Sequence, residues 1–515
     1  MKNLTAIWGD FSKIPLQKEV YVTKRLFLQK LDDPDKNDPP LYLGVNTLSG
    51  SIDIFTNKEG ELLKTIIDTG KICDDAGKNS NFFSQLLNRG YLFPSQELEE
   101  ITFQSILNNY KILKTKQDKM LMFISLDMSC NMGCSYCFQG THGQNSKEIE
   151  MSKMDSDSIK SSFKAIDLIQ SLNQKKVSWV AGYGGEPLQK GSHDINELFI
   201  SLAKQRGLPI VYFSNLAMLD SDLLSLLKSN AKYISFISTT LDGVDSKHNV
   251  LRKYPNSFNQ TVDNIDILLQ SGIHVTVRTN IDLTNINNLI ELADFYEKKG
   301  WFDYPNFKAF TSKIIDRHHT VKGIDREDEI MSKLLDLKEK YTNIRKINSY
   351  KVAYSLENIL RAVKLRETVG GIGHLEEESG KVNISPLINY CPVDNGSEYV
   401  FTGQPYNSIY ACAESAPFLK YRLGTHYPML KMESNNYKYW NGNYLNTQRI
   451  IDNLQCKNCC ASTFCGGGCS FEAITKNGCR CNVCCKDVPS IIRSFLKNES
   501  KRLYYRCRAL LEMCY

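Results

Sequence analysis

Eight residues constrain this chain more than any others: Cys130-Asn-Met-Gly-Cys134-Ser-Tyr-Cys137. Three thiols at C-x3-C-x2-C spacing follow the apolar run Met120-Leu-Met-Phe-Ile-Ser-Leu126, which reads as a buried strand. Thiolates in one short loop can converge on a soft metal. An iron–sulfur cube offers four irons, so three Cys ligands leave one iron open to another group. The loop also stands where a strand ends, which is where α/β enzymes place their chemistry. The competing readings are buried structural thiols, or a zinc site short of one ligand.

Cysteine usage extends the argument. The chain holds 17 Cys in 515 residues: Cys73, the three of the loop, and thirteen from Cys391 to Cys514. The N-terminal Met1-Lys-Asn-Leu-Thr-Ala-Ile-Trp-Gly-Asp10 does not read as a signal peptide, so many Cys point to metal ligation in a reducing cytoplasm rather than to disulfides. No apolar run approaches the roughly 18 residues of a membrane span. The net charge of +6 is spread along the chain, so neither a membrane nor a nucleic-acid partner is expected.

Residues 1–40 read as a polar preamble ending in Asp-Asp-Pro-Asp-Lys-Asn-Asp-Pro-Pro40, a loop or linker. Residues 41–46 and 51–55 read as a hairpin, 57–69 and 81–89 as helices, and 90–93 as a returning strand. From Met120 strands and helices alternate. Strands are expected at 121–126, 177–182, 210–214, 233–238, 274–279 and 306–310, with helices at 155–174, 194–205, 220–229, 258–270 and 286–299. A charged helix follows at 325–341 and a loop at 368–375, whose His374 reads as solvated, as do His318 and His319. The fold class is therefore α/β, a partial (β/α)6 TIM-like barrel with its site at the strand C-termini.

The Cys130, Cys134, Cys137 pattern, with aromatic Tyr136 and Phe138 around the third thiol, resembles the signature of the radical S-adenosylmethionine (SAM) superfamily. The resemblance implies a [4Fe-4S] cluster whose open iron binds the amino and carboxylate groups of S-adenosylmethionine. It also implies reductive cleavage to methionine and a 5′-deoxyadenosyl radical. Gly184-Gly185-Glu186-Pro187 resembles the family's Gly-Gly-Glu-Pro motif, with Glu186 receiving the cofactor ammonium and the glycines admitting a close ligand. Ser214 and Asn215 stand where the family contacts the ribose or methionyl group. Leu241-Asp242-Gly243, His248 and Arg252 resemble a segment of peptide-modifying members, and Arg278 stands where a basic residue flanks the cofactor carboxylate.

Towards the C-terminus, Cys456, Cys459, Cys465 and Cys469 are spaced C-x2-C-x5-C-x3-C, flanked by Cys391 and Cys412 before and Cys479, Cys481, Cys484 and Cys485 after. This looks like the SPASM/twitch extension, which implies two auxiliary [4Fe-4S] clusters and so three in all. Cys391, Cys412 and Cys469 would hold the first. Cys456, Cys459 and Cys465 would hold the second, with one of Cys479, Cys481, Cys484 or Cys485. Two departures stand out: Asn407 replaces the family's Gly ahead of the second Cys, and no Cys follows Cys391 within 392–397. A zinc alternative also stands, since Cys456-x2-Cys459 and Cys481-x2-Cys484 are 21 residues apart. Cys460, Cys507 and Cys514 read as additional buried thiols.

Three segments follow: 1–115 with a part that resembles winged-helix peptide-recognition domains, 116–345 as the barrel, and 346–515 as the auxiliary-cluster region. The resemblance implies a radical SAM peptide maturase that takes hydrogen from a ribosomally made precursor and installs a thioether, C–C or C–O link or a related change. Its partners would be a leader-bearing precursor peptide, added as an edge strand, and a low-potential donor such as flavodoxin or ferredoxin. The alternatives are a maturase of folded proteins of the sulfatase-activating type and a zinc-stabilised binding module without catalysis. On this reading the radical site lies wholly in the barrel, and loss of residues 1–115 spares cofactor cleavage.

Overall fold

The computed structural model describes residues 1–15, 19–72, 80–115, 119–137, 139, 151–314, 326–349, 356, 359–360, 362–363, 382–383, 396–416, 418–433, 453–477 and 487–512. Phe138, Cys391, Cys479, Cys481, Cys484 and Cys485 lie outside the described residues, as do Cys73, Cys514, the His318-His319 pair and the 368–375 loop.

All six expected parallel strands form: β1 (Lys119–Asp127), β2 (Lys176–Gly184), β3 (Ile210–Phe213), β4 (Ile234–Thr240), β5 (Val275–Ile281) and β6 (Phe307–Lys313). They pair in consecutive order and each neighbouring pair is parallel. Between them run α1 (Ser156–Asn173), α2 (His193–Gln205), α3 (Ser221–Ser229), α4 (Ser246–Arg252), α5 (Ser257–Gln270) and α6 (Asn288–Lys298), followed by α7 (Glu327–Lys340). Asp155 and Asp220 start α1 and α3 by accepting the amides of Ser158 and Leu223. Among these barrel helices the one not anticipated is α4, too short to show an apolar repeat. This is a parallel-rich α/β sheet of the partial-barrel kind.

Side chains alternate across the strands. Met120, Met122, Ile124, Val180, Ile210, Tyr212 and Ile237 join the helix-covered core. Phe123, Trp179, Tyr183, Phe213 and Phe236 make a second, aromatic cluster on the opposite face. Phe123 meets Trp179 and Tyr183 edge-on at 5.1 and 5.3 Å between ring centroids.

The sheet does not stop at β1. Strand β7 (Glu398–Phe401) pairs in parallel with it, from Glu398 opposite Leu121 to Phe401 opposite Ile124. Then β8 (Ser408–Tyr410), β9 (Gly424–Thr425) and β10 (Lys431–Met432) follow as antiparallel neighbours. Asn407 enters β8 with φ of 47°, so Asn does fill the left-handed turn in place of Gly. Its Oδ1 accepts from Ser158 Oγ at 2.6 Å, and Ser161 Oγ donates to the His426 carbonyl, which fastens the extension to α1.

His426 itself is buried, with Nε2 2.8 Å from the Thr402 carbonyl, and burial pushes its pKa down to about 4. An unfolded His takes its proton near pH ~6.5. Acidification therefore favours the unfolded chain from about 6.5 down to about 4, costing about 3 kcal/mol over that window. Melting temperature against pH should fall more steeply there for wild type than for His426→Gln; identical slopes would contradict this account.

The N-terminal region corrects one expectation. Residues 1–40 are not simply a loop: Leu26–Leu31 is a strand, paired residue by residue with Leu41–Asn46 from Leu26 opposite Asn46 to Leu31 opposite Leu41. It is the outer strand of an antiparallel sheet in the order Lys2–Asn3, Ile52–Phe55, Leu41–Asn46, Leu26–Leu31. One side of this sheet contributes to an aromatic core in which Tyr42 and Phe55 meet Leu63, Ile66, Phe82 and Phe83 of the helices Asn57–Thr69 and Ser80–Asn88. The other side, with Phe27, Leu31, Leu43 and Ile54, joins the same core as Ile492, Phe495, Leu503 and Tyr504 of α8 (Val488–Asn498) and α9 (Ser500–Glu512). Two ends of the chain thus share one interior.

Candidate active site

The cysteine loop leaves β1 at Asp127, whose Oδ1 accepts from the Ser129 amide and hydroxyl at 2.8 and 2.6 Å. Gly185 and Glu186 then bond to the carbonyls of Asp127 and Ser129 at 2.8 and 2.9 Å. The two glycines therefore approach the root of the loop. A Cβ on Gly184 would lie 2.2 Å from the Asp127 oxygen, and one on Gly185 2.3 Å from the Ser129 oxygen. Gln189 Nε2 adds two bonds to Ser129 at 2.9 Å. The Gly-Gly-Glu-Pro turn is a brace for the cysteine loop.

Glu186 is almost fully buried. Its carboxylate accepts from the Leu188 amide at 2.9 Å, from Ser214 Oγ at 2.6 Å and from the Asn215 amide at 2.6 Å. Burial nevertheless pushes its pKa up to about 7, against the pull of those donors and of Arg252. Asn215 reaches on to Asn131 Oδ1 at 2.8 Å and to Cys130 Sγ at 3.9 Å. Ser214 and Asn215 thus join Glu186 to the first thiol.

A second group holds the other thiols. Arg252, at the end of α4, donates Nη1 to Cys134 Sγ at 3.4 Å, and its carbonyl accepts from Gly133 at 3.1 Å. Its Nε lies 3.0 Å from buried Asp242, and its guanidinium lies over the Tyr136 ring at 5.6 Å. Tyr136 donates to Asp242, and Asn280 Nδ2 approaches the Tyr136 hydroxyl at 3.2 Å. Asp242 also accepts from the Asn280 amide at 2.9 Å, while its own amide donates to His248 Nδ1 at 3.2 Å. Burial holds His248 neutral, with a pKa near 3. Asn280 escaped the sequence reading, although it lies two residues after Arg278 on β5 and hence on the same face.

Burial and the Glu186 charge push the Cys130 thiol up to about 12, with smaller contributions from Cys134 and Cys137. Among the described residues no three Cys, His, Asp or Glu side chains converge tightly enough to hold a single metal ion. Around the loop, Asn131 Nδ2, Arg252 Nη2 and Arg278 Nε are buried donors without a protein partner. Three unspent donors beside a buried carboxylate and three thiols suit a ligand that carries its own carboxylate and ammonium. The donor set therefore fits a thiolate-bound cluster and S-adenosylmethionine.

On the extension, Cys412 follows β8 and lies within electrostatic reach of Cys469, Glu398 and Glu414; burial pushes its thiol up. Cys469 follows Gly466, Gly467 and Gly468, whose φ of 66°, 78° and 75° only glycine adopts at little cost. Cys456, Cys459 and Cys465 lie on the short helices Leu454–Lys457 and Ser462–Cys465 and the turn between them. A hydrogen bond from Cys460 pulls the Cys459 thiol down to about 6. Cys507 is a fully buried core thiol, as expected. Tyr183, on the aromatic face of β2, lies within reach of both Cys137 and Cys412.

The radical SAM superfamily description matches residues 128–298, from the start of the cysteine loop through α6. Among curated proteins, the chain is similar to an AdoMet-dependent heme synthase of Nitratidesulfovibrio vulgaris, 24% identical over 173 residues, 33% of this chain and 43% of that one. It is also similar to an Fe-coproporphyrin III synthase of Methanosarcina barkeri, 22% identical over 210 residues, 41% of this chain and 49% of that one. The chain spans about half the length of the curated relatives it matches. Among solved structures, native anSMEcpe with bound AdoMet is similar in fold: TM-score 0.52 and 16% identity, covering 76% of this chain and 99% of that one. The same protein with bound AdoMet and Cp18Cys peptide gives 0.50 and 15%, with the same coverage. With loop, brace and fold in agreement, the chain carries a radical SAM superfamily domain at residues 128–298 and is an enzyme; S-adenosylmethionine and a [4Fe-4S] cluster are what this family implies.

Proposed function

We propose that the chain is a radical SAM peptide maturase with a SPASM-type C-terminal region, acting on a ribosomally made, leader-bearing precursor. One observation carries the reading: the barrel sheet runs on through β7 and β8, and Cys412, just past β8, lies within electrostatic reach of Cys469 and of Tyr183, which is also within reach of Cys137. A second thiol centre joined to the first by a continuous sheet suits an enzyme that both takes hydrogen from a substrate and removes the electron left behind. In this assignment Cys391, Cys412 and Cys469 ligate one auxiliary [4Fe-4S] cluster. Cys456, Cys459, Cys465 and one of Cys479, Cys481, Cys484 or Cys485 ligate the other.

The cluster and S-adenosylmethionine, with a low-potential donor such as flavodoxin or ferredoxin, would supply one-electron hydrogen abstraction. The chain's residues supply position. Cys130, Cys134 and Cys137 would hold the cluster, and Arg252 holds Cys134 in place. Glu186 has acceptor capacity left on Oε2 for an ammonium, and a cation there offsets the burial cost that raises its pKa. Arg278 offers its unspent donor to the carboxylate. The aromatic face of Phe123, Trp179, Tyr183 and Phe213 keeps water from the reacting atoms. The outer strand Leu26–Leu31 is the edge to which a leader peptide would add.

The curated relatives' names favour a second reading, an iron-porphyrin substrate, though they match only 33% and 41% of the chain. One experiment separates the two. Anaerobically reconstituted enzyme, reductant and S-adenosylmethionine are incubated either with a candidate precursor peptide, the product of any short open reading frame found next to the gene, or with Fe-coproporphyrin III. The peptide is expected to lose two hydrogen atoms for each link formed, with matching 5′-deoxyadenosine. An unaltered peptide together with converted porphyrin would overturn the proposal.

A further inference from the structure

The N-terminal region grips the Cys456–Cys465 segment through five contacts. Arg25, fully buried, donates Nη1 to Glu99 at 2.9 Å and Nη2 to the Lys457 carbonyl at 2.8 Å, while its guanidinium covers the Phe103 ring at 3.7 Å. Glu99 is equally buried and also accepts from Thr23 Oγ1 at 2.6 Å. Thr47, at the tip of the hairpin, donates Oγ1 to the Cys460 carbonyl and accepts at its own carbonyl from Thr463 Oγ1. At the rim, Lys24 Nζ reaches Asn458 Oδ1 at 3.2 Å and Lys457 Nζ reaches Glu100 at 3.1 Å.

A buried ion pair is a poor way to gain stability, because desolvation consumes most of the Coulomb energy and an apolar pair of similar size commonly does as well. The placement of this pair is informative. Arg25 ends on the carbonyl of Lys457, one residue after Cys456 and two before Cys459, and Thr47 ends on the residue after Cys459. Every one of these contacts bears on the backbone that aims a thiol.

We infer that Arg25 and Thr47 are positioning residues for the C-terminal cysteine site: the N-terminal region fixes the backbone that carries Cys456, Cys459 and Cys465, so that these thiols can ligate. This makes the N-terminal region part of a metal centre some 400 residues away in sequence. The inference rests on the reading of those thiols as cluster ligands.

The test compares full-length wild type, Cys456→Ala, Arg25→Met/Glu99→Gln, Arg25→Lys/Glu99 intact, and Thr47→Val after anaerobic reconstitution with iron and sulfide. Iron per chain, the EPR spectrum of the reduced protein and the melting temperature are recorded for each. Arg25→Met/Glu99→Gln leaves no charge unpaired and keeps an acceptor for Thr23. It and Thr47→Val are expected to lose about a third of the iron, one cluster in three, or to show the altered EPR spectrum of Cys456→Ala, with melting temperature near wild type. Arg25→Lys, which keeps a charge but not the forked donor, is expected to restore part of the signal. If Cys456→Ala changes iron and spectrum while both the double variant and Thr47→Val stay as wild type, the inference is overturned. If the double variant does not fold, Thr47→Val decides alone. A Cys456→Ala protein indistinguishable from wild type overturns the cluster reading, and the inference with it.

Discussion

Replacing Cys130, Cys134 or Cys137 with Ala is expected to reduce cleavage of S-adenosylmethionine to the background of the protein-free reaction. Each thiol has its own tether: Cys130 to Asn215, Cys134 to Arg252, and Cys137 through its amide to the Cys134 carbonyl at 3.1 Å. Removing one leaves a cluster with two protein ligands, which cannot present a single open iron. Cys507→Ala serves as the control, since that thiol is buried in the core with α9 and should cost some stability but no cleavage. The measurement is 5′-deoxyadenosine released under dithionite. Wild-type release by any of the three loop variants would sink the assignment.

Deleting residues 1–115 has the second largest expected effect, and in the opposite sense to what the segmentation of the sequence suggests. The deletion removes Phe27, Leu31, Leu41, Leu43, Val45, Ile52 and Ile54 from a core they share with Ile492, Phe495, Leu496, Leu503, Tyr504 and Leu510. Each large apolar side chain that loses burial costs about 1.5–3 kcal/mol. A handful of them exceeds the roughly 5–15 kcal/mol by which a folded domain is stable. Arg25 and Thr47 leave with the same segment, so the Cys456–Cys465 backbone loses its partners too. The truncated chain should be recovered aggregated and poor in iron. A soluble truncated protein that loads iron and cleaves cofactor at wild-type rate would show that the N-terminal region is a separable cap.

The barrel strands were legible because each is a short apolar run between helices with a 3.6-residue repeat, and local pattern suffices for such elements. Their ends shift by one to three residues from the runs: three reach on into Lys119, Lys176 and Lys313, which pair at the sheet's margins, while β3 stops one residue short and β4, β5 and β6 begin one residue late. Leu26–Leu31 was not legible in the same way. Gln29 and Lys30 interrupt its apolar residues, and the strand exists because it pairs with Leu41–Asn46 and shares a core with the C-terminal helices far away in sequence. The same holds for β7, whose place beside β1 is a long-range fact.

In the site, residue identities were readable but their tasks less so. Gly184 and Gly185 suggest close approach to a ligand, and what they approach is the backbone of residues 127–129. Asp242 looks like part of a strand-end turn, yet it gathers Tyr136, Arg252, His248 and Asn280 around the cysteine loop. Hydrogen-bonding tasks of this kind depend on side chains that fold together from four strands, and no spacing rule reports them.

Metal analysis of the anaerobically reconstituted full-length chain tests the central claim most directly. Three four-iron clusters predict about twelve iron per chain with matching sulfide, falling to about eight when Cys130, Cys134 and Cys137 are all replaced by Ala. A plateau near four iron, with one or two tightly held zinc ions that persist in the triple variant, would contradict the account and return the C-terminal cysteines to a zinc site.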